Sequence, residues 1–362
     1  MDIKKLVLIM IFFTSGLFLW EEWRAAQQNT AEQGAVQQGS KTAKNLAQQG
    51  IGKGDQAQDS APIPGKKLIS SQQINSASSG KSNASATAST GLESGTKIVV
   101  KTDMVVAVID TAGGDIRNLD LLNHPSREDK SIPFSLLQSK FPRVNVAQSG
   151  LIGEDLPTHK THYTAESENY TLSPGEDKIE IRLFAPEAAG IKATKIYTFH
   201  RGSYVIDVKF EIENQGSKAL QPFSYFQVLR DIVPVESSMF IIPQYSGPTV
   251  YTEAEKFQKI KFEDLVEGIA AYPKNTDNGW IAMQEHYFLT AWLPDAGVLR
   301  ENFAKHHGGY KYSAGVIVPA GTIQPGEIGK VEVPFYVGPQ EQSKLAALSP
   351  GLDLVVDYGW LT

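Results

Sequence analysis

Apolar and polar residues are distributed in three distinct ways along this chain. After Lys4 and Lys5, positions 6–20 carry no charge, and the run closes on Trp20, Glu21, Glu22, Trp23 and Arg24. A helix continued to Trp23 has about 18 residues and a length of roughly 27 Å at 1.5 Å per residue, close to the ~30 Å hydrocarbon core of a bilayer. Lys4 and Lys5 mark the N-terminal end as cytoplasmic, and Trp20 and Trp23 fall where an interfacial aromatic belt forms. The pattern predicts a transmembrane anchor over residues 1–24, with the remainder exported. A cleaved signal peptide shares the basic and apolar plan but needs small residues at its cleavage site. Ala25 and Ala26 are preceded by Trp23 and Arg24, which favours retention.

From residue 25 to 96 the chain is built of Gln, Ala, Ser, Gly, Thr and Lys, and no aromatic residue occurs between Trp23 and Phe134. Such a stretch buries too little apolar surface to offset its ordering entropy, so a disordered linker is predicted. Beyond it, short β-rich runs alternate with turn residues. Strands are read at 97–109, 116–122, 178–184, 194–200, 204–213, 224–233, 280–293, 311–318 and 330–337, with turns at Gly113-Gly114-Asp115, Ser173-Pro174-Gly175, Asn214-Gln215-Gly216 and Asp277-Asn278-Gly279. In the run from Trp280, the residues Ile281, Met283, Tyr287, Leu289, Ala291 and Leu293 are placed on one face. About a dozen strands without intervening long helices argue for a large antiparallel sandwich over residues 97–338. The segment 339–362 supplies the single predicted helix, Gln340–Leu348, stopped by Pro350-Gly351. An apolar tail from Leu352 to Leu361 follows and needs a cover; its Tyr358 and Trp360 are candidate contacts with a partner or with lipid.

Charge narrows the function classes. The formal net charge is −6; residues 1–96 hold nine Lys and Arg against seven Asp and Glu, which leaves −8 for residues 97–362. An acidic folded region is a poor match for a polyanion, so nucleic acid is not an expected partner. Cysteine is absent, which excludes disulfides and thiolate metal sites and suits an oxidising compartment.

Candidate chemistry is sparse, and no cofactor or metal is expected. His159 and His162 have a short spacing and His306-His307 are adjacent, but neither pair follows the i, i+4 helical arrangement of zinc sites, and Lys305-His306-His307-Gly308-Gly309 reads as an exposed hairpin. Gly113-Gly114 is followed by neither a dinucleotide nor a phosphate-loop pattern, and no G-x-S-x-G elbow occurs. Glu285-His286 is placed inside a strand, where neighbours face opposite ways and cannot form an acid–base pair. Lys256, Phe257, Lys259, Lys261 and Phe262 form a basic and aromatic stretch suited to a partner or anionic lipid, with an ordinary solvated edge as the plain alternative. No catalytic residue is identified.

Several runs resemble the YidC-type membrane protein insertases of Gram-negative bacteria, specifically their N-terminal half. They are Trp20-Glu21-Glu22-Trp23, Gly113-Gly114-Asp115-Ile116, residues 133–137, residues 148–151, and Arg201-Gly202-Ser203-Tyr204. The most specific are residues 279–294 and 352–361, the latter including Asp357-Tyr358-Gly359-Trp360. The resemblance implies a β-supersandwich related in shape to galactose mutarotases, with a short helical C-terminal appendage. It also implies an inner-membrane protein with its main domain in the periplasm, assisting the insertion of nascent membrane proteins alone or beside the Sec translocon and its accessory subunits. In that family the Asp-Tyr-Gly-Trp region leads into a surface helix and five further spans, which have no counterpart before Thr362. The expectation is therefore a fragment, or a chain whose membrane half is supplied separately. A carbohydrate-binding or mutarotase-like protein and a plain structural tether are the competing expectations.

Overall fold

The computed structural model describes residues 61–65, 92–126, 128–140, 143–232 and 245–356. The predicted anchor, with Lys4, Lys5, Trp20 and Trp23, lies outside the described residues, as do most of the predicted linker and the tail residues Tyr358 and Trp360. Among the described residues no helix is long and apolar enough to cross a membrane.

The described chain runs β1 (Lys97–Lys101), β2 (Val105–Asp110), β3 (Asp115–Pro125), β4 (Pro133–Leu137), β5 (Asn145–Ile152), β6 (Thr164–Ala165), β7 (Asn169–Thr171), β8 (Lys178–Phe184), β9 (Ile191–His200) and β10 (Val205–Asn214). It continues through β11 (Phe223–Asp231), β12 (Gly247–Thr252), β13 (Lys256–Lys259), α1 (Phe262–Glu267), β14 (Asn275–Thr276), β15 (Trp280–Glu285) and β16 (Phe288–Trp292). It ends with β17 (Arg300–His306), β18 (Lys311–Pro319), β19 (Ile328–Pro339), α2 (Gln342–Leu348) and a 3-10 turn at Leu352–Val355.

The strands form two sheets, mainly antiparallel, as the sequence predicts. One has the order β14-β17-β18-β11-β5-β3-β2-β1-β7, with β4 also paired to β3; the other has the order β13-β12-β15-β16-β19-β10-β9-β8-β6. Strand β10 shows why the pattern was readable. Ile206, Val208, Phe210 and Ile212 are buried while Asp207, Lys209, Glu211 and Glu213 are not, the period-2 alternation of a strand with one face in the core. Strand β11 is buried along most of its length instead, because both of its faces are covered. The sheets meet in an aromatic core. Phe226 of β11 lies 5.3 Å from Trp292 of β16, which stacks 4.3 Å from Phe335 of β19. Burying each such side chain contributes roughly 2–3 kcal/mol.

Three sequence expectations are corrected. Residues 97–109 form a hairpin rather than one strand, since Thr102 Oγ1 accepts the backbone N–H groups of Met104 and Val105 and closes a turn between β1 and β2. The run from Trp280 is likewise a hairpin. Its turn is His286-Tyr287, with His286 at φ 30°, so Glu285 ends β15, His286 is not inside a strand, and Tyr287 is 57% exposed instead of facing the core. A second helix, α1, follows the basic and aromatic stretch. It is short, buries no residue, and is closed by Gly268 in the left-handed conformation, so it lacks the amphipathic stripe that makes a helix visible in sequence. Two pieces of the predicted linker also hold contacts. The Gly95 N–H and the Ser94 hydroxyl both donate to the Asp110 carboxylate, and residues 61–65 are placed against the domain.

A charged network joins the sheets beneath the Gly113-Gly114 turn, where both glycines have positive φ. Lys195 of β9 is fully buried. Its Nζ donates to the carbonyls of Gly113 at 3.1 Å and Ser149 at 3.0 Å, and lies 3.9 Å from Asp115. Arg117 lies 3.2 Å from the same carboxylate, Gln148 donates to it at 3.0 Å, and Gln227 donates to Gln148 at 2.9 Å. The Tyr197 hydroxyl donates to the Gly114 carbonyl at 2.6 Å. The network thus satisfies the turn's buried carbonyls from the facing sheet, the requirement for any buried polar backbone group.

Candidate interaction surface

The first part of the basic and aromatic stretch, Lys256–Lys259, becomes β13, an outer strand of the nine-stranded sheet, while Lys261 caps α1 and Phe262 opens it. β12 and β13 are joined by a turn at 253–255, in which Thr252 Oγ1 accepts the Glu255 N–H at 3.0 Å. Lys256 is at φ 59°, a position that turns the chain back along the sheet edge. Lys256, Lys259 and Lys261 are exposed, whereas Phe257 and Phe262 are partly buried. The ammonium of Lys259 lies 5.1 Å from the Tyr245 ring centroid. That tyrosine is held by hydrogen bonds to the carbonyls of Pro248 at 2.6 Å and Ile260 at 2.8 Å, and burial pushes its phenol upward in pKa. Lysines on an outer strand also discourage edge-to-edge pairing.

The two phenylalanines part company. Phe262, at the start of α1, packs 4.5 Å from Tyr312 of β18 in the ten-stranded sheet. Phe257 sits in a cross-strand row in which Tyr251 of β12 is the direct partner of both Phe257 of β13 and Trp280 of β15. Trp280 stacks on Tyr251 at 5.9 Å and meets Phe257 at 6.1 Å. This row carries the C-terminal appendage. Trp280 Nε1 donates to the Pro350 carbonyl at 3.1 Å, Gly351 lies against the Tyr251 ring, and Gln284 Nε2 donates to the Val355 carbonyl at 2.7 Å. Leu345, Leu352 and Val355 are buried below it. The predicted helix is present and the first apolar residues of the tail have their cover; Tyr358 and Trp360 are beyond the described residues.

Sequence reasoning missed Tyr251 and Trp280 as site residues. A signal existed in Asn278-Gly279 before Trp280. Gly279 has φ 82°, and a side chain there would fall onto the Tyr251 carbonyl, so only glycine lets β15 begin at this row. Arg300 fixes the same turn. It is buried, donates to the carbonyls of Asp277 at 2.9 Å, Gly279 at 3.3 Å and Pro294 at 2.8 Å, also contacts that of Asp295, and burial lowers its pKa to about 10.

The other chemistry-bearing residues are dispersed. His159 is buried against the Tyr225 hydroxyl, while His162 faces Glu93 at 3.0 Å. His306 stacks on Tyr312 and bonds the Gly309 carbonyl, and His307 bonds Ser313 across the β17–β18 hairpin. Among the described residues no group of three or more His, Asp or Glu side chains is arranged to hold a metal ion. Glu285 is held by Arg143 and by Arg230 at 3.7 Å. In the Lys195 network, burial raises the Asp115 carboxyl and lowers Lys195 to about 8. Both side chains are fully buried, so these displaced values reflect burial and leave no group facing a substrate.

The family described as the YidC periplasmic domain matches residues 97–362. Curated relatives named membrane protein insertase YidC include those of Nitrosospira multiformis, 56% identical over all of this chain and 62% of the relative, and Nitrosomonas europaea, 52% identical over all of this chain and 59% of the relative. That of Aromatoleum aromaticum is 44% identical, again over the whole chain and 62% of the relative. The chain therefore spans about three fifths of the length of these relatives. Among solved structures, a galactose mutarotase related enzyme from Lactobacillus acidophilus is similar with a TM-score of 0.42 and 8% identity, covering 67% of this chain and 97% of that one. A galactose mutarotase-like protein from Lactobacillus casei gives 0.38 and 10%, covering 67% and 99%. At these values the likeness carries no argument for a sugar site.

Proposed function

The chain belongs to the YidC periplasmic domain family, and from that premise we propose that residues 97–362 are the protein-binding periplasmic part of a membrane protein insertase. In this reading the anchor, with Lys4, Lys5, Trp20 and Trp23, holds the domain at the inner membrane. The domain assists the insertion and folding of nascent inner-membrane proteins, alone or beside the Sec translocon and its accessory subunits. It does so without catalytic residues or a cofactor. The observation that carries the proposal is the family match over the whole folded region, together with insertase relatives that align along the full chain.

The geometry supports a location for the working surface. The appendage that leads toward Tyr358 and Trp360 is clamped on the row of Tyr251 and Trp280, which Phe257 extends, and the exposed residues Lys256 and Lys259 lie on the strand of Phe257, with Lys261 just beyond its end. In the family this appendage leads into the membrane half, so the lysine edge would face whatever gathers beside it. Insertion itself requires shelter for polar groups in hydrocarbon, each unsatisfied group costing several kcal/mol, and we assign that task to membrane spans of the insertase rather than to this domain.

The test is complementation. Cells depleted of their own insertase receive this chain alone, or this chain with the membrane half of an insertase supplied separately. Insertion of a small inner-membrane substrate is scored by protease protection. Recovery is expected in the second case only. Recovery with this chain alone would assign insertion to residues 1–362 and overturn the accessory role.

A further inference from the structure

Within the linker composition, one short piece departs from the rest. Residues 25–96 contain two prolines, Pro62 and Pro64, in the sequence Ala61-Pro62-Ile63-Pro64-Gly65. This piece is placed on the outer face of the ten-stranded sheet, the face opposite the main core. Ala61 packs against the buried cluster of Phe223, Tyr225 and Ile317, beside Leu299 and Phe303. Pro64 is buried, and the Gly65 N–H donates to the Glu301 carboxylate of β17 at 2.6 Å. Ile63 points the other way and is 85% exposed.

These observations fit together chemically. Ala61 and Pro64 are three residues apart, the repeat of an extended polyproline-type strand, so a single edge of the segment meets the sheet. Proline restricts the free segment, so less conformational freedom is lost on docking than for the Gln, Ser and Gly around it. Gly65 permits the close approach. A Cβ at that position would lie 2.9 Å from Glu301 Oε2 and would push away the acceptor of its own N–H.

We propose that Ala61–Gly65 is an internal ligand of this face, a clip that fastens the linker to the domain. The consequence is a shorter tether. With the clip closed, 36 residues (25–60) separate the predicted anchor from the dock instead of the 72 of the whole linker, and the greatest span falls from about 240–260 Å to about 120–130 Å. The proposal is independent of the insertase reading.

The native chain lacks cysteine, which makes site-directed spin labelling direct. Nitroxides are placed at Ile63→Cys and Lys305→Cys, both exposed positions, the second on the same strand as Glu301, in the full chain in detergent. A closed clip gives a single narrow distance distribution. Pro64→Asp, which puts a carboxylate at a buried position next to the residue that binds Glu301, is expected to abolish the narrow peak while near-ultraviolet circular dichroism of the domain stays unchanged. A broad distribution in the doubly labelled protein without that change, or a narrow peak that survives Pro64→Asp, would overturn the clip.

Discussion

Replacing Lys195 by Met tests whether the buried network is as tightly closed as its geometry indicates. The thioether matches the lysine stem in length but donates nothing to the carbonyls of Gly113 and Ser149 and leaves Asp115 with Arg117 and Gln148. Leaving a buried acceptor without its donor costs about 1–3 kcal/mol, so the urea midpoint at neutral pH should fall clearly. The sharper signature is in pH. Burial lowers the folded-state pKa of Lys195 from 10.5 to about 8. Between those values the unfolded chain binds the proton and the folded chain does not, so stability rises with pH. The contribution is fully present above the unfolded value and is lost as pH falls through about 8. Integrating from about pH 7.5 to about 9.5 gives roughly 2 kcal/mol of added stability. The neutral amine keeps two N–H donors for its two carbonyls, so the hydrogen bonds survive deprotonation. Above the ordinary phenol range the trend reverses, because burial raises Tyr163 and Tyr197 in the folded state. Urea unfolding followed by tryptophan fluorescence at several pH values measures the slope. Equal slopes for the parent and Lys195→Met would refute the assignment of the rise to this lysine.

Three further outcomes follow from the candidate interaction surface. Gly279→Ala forces a side chain onto the Tyr251 carbonyl at a positive φ, and should lower stability by about 3 kcal/mol or more in the same urea assay. Trp280→Phe keeps the aromatic row but removes the N–H that holds Pro350; a loss of ~1 kcal/mol is expected, with faster hydrogen exchange confined to residues 342–356. Changing Lys256, Lys259 and Lys261 together to Gln should leave thermal stability within about 0.5 kcal/mol, as for most surface substitutions, yet reduce insertion when built into a complete insertase; unchanged insertion would remove this edge from the working surface.

Legibility in the sequence followed the range of the interaction involved. The alternation in β10 is local, and so is the stop at Pro350-Gly351; both were readable. Period 2 also places Lys195 on the inward face with Ala193, Tyr197 and Phe199, against the ordinary preference of lysine for water. Its partners, the Gly113 carbonyl and Asp115, are some 80 positions away in the chain, so nothing nearby announces that a lysine there can be satisfied. The turns at Thr102 and His286 were hidden for a different reason. Each interrupts a β-rich run with only a few residues, and neither turn uses glycine or proline, the residues that punctuate chains most visibly. The segment 61–65 was lost to averaging, since two prolines do not change the composition of a long polar window.

The basic and aromatic stretch shows what proximity in sequence leaves open. Phe257 and Phe262 are close in the chain, but β13 ends and α1 begins between them, so one joins the Trp280 row and the other packs on the opposite sheet. The reverse holds for the two runs that most specifically resemble the insertases, residues 279–294 and 352–361. Separated in the chain, they meet through hydrogen bonds at either end of β15: Trp280 holds the carbonyl of Pro350, just before the second run, and Gln284 holds that of Val355 within it. Gly279 admits the Tyr251 carbonyl, and Arg300 fixes the turn before it. A substitution in either run therefore disturbs one clamp. The clamp ties residues 350–355 to paired strands rather than to a loop, so both runs depend on the same edge of the nine-stranded sheet.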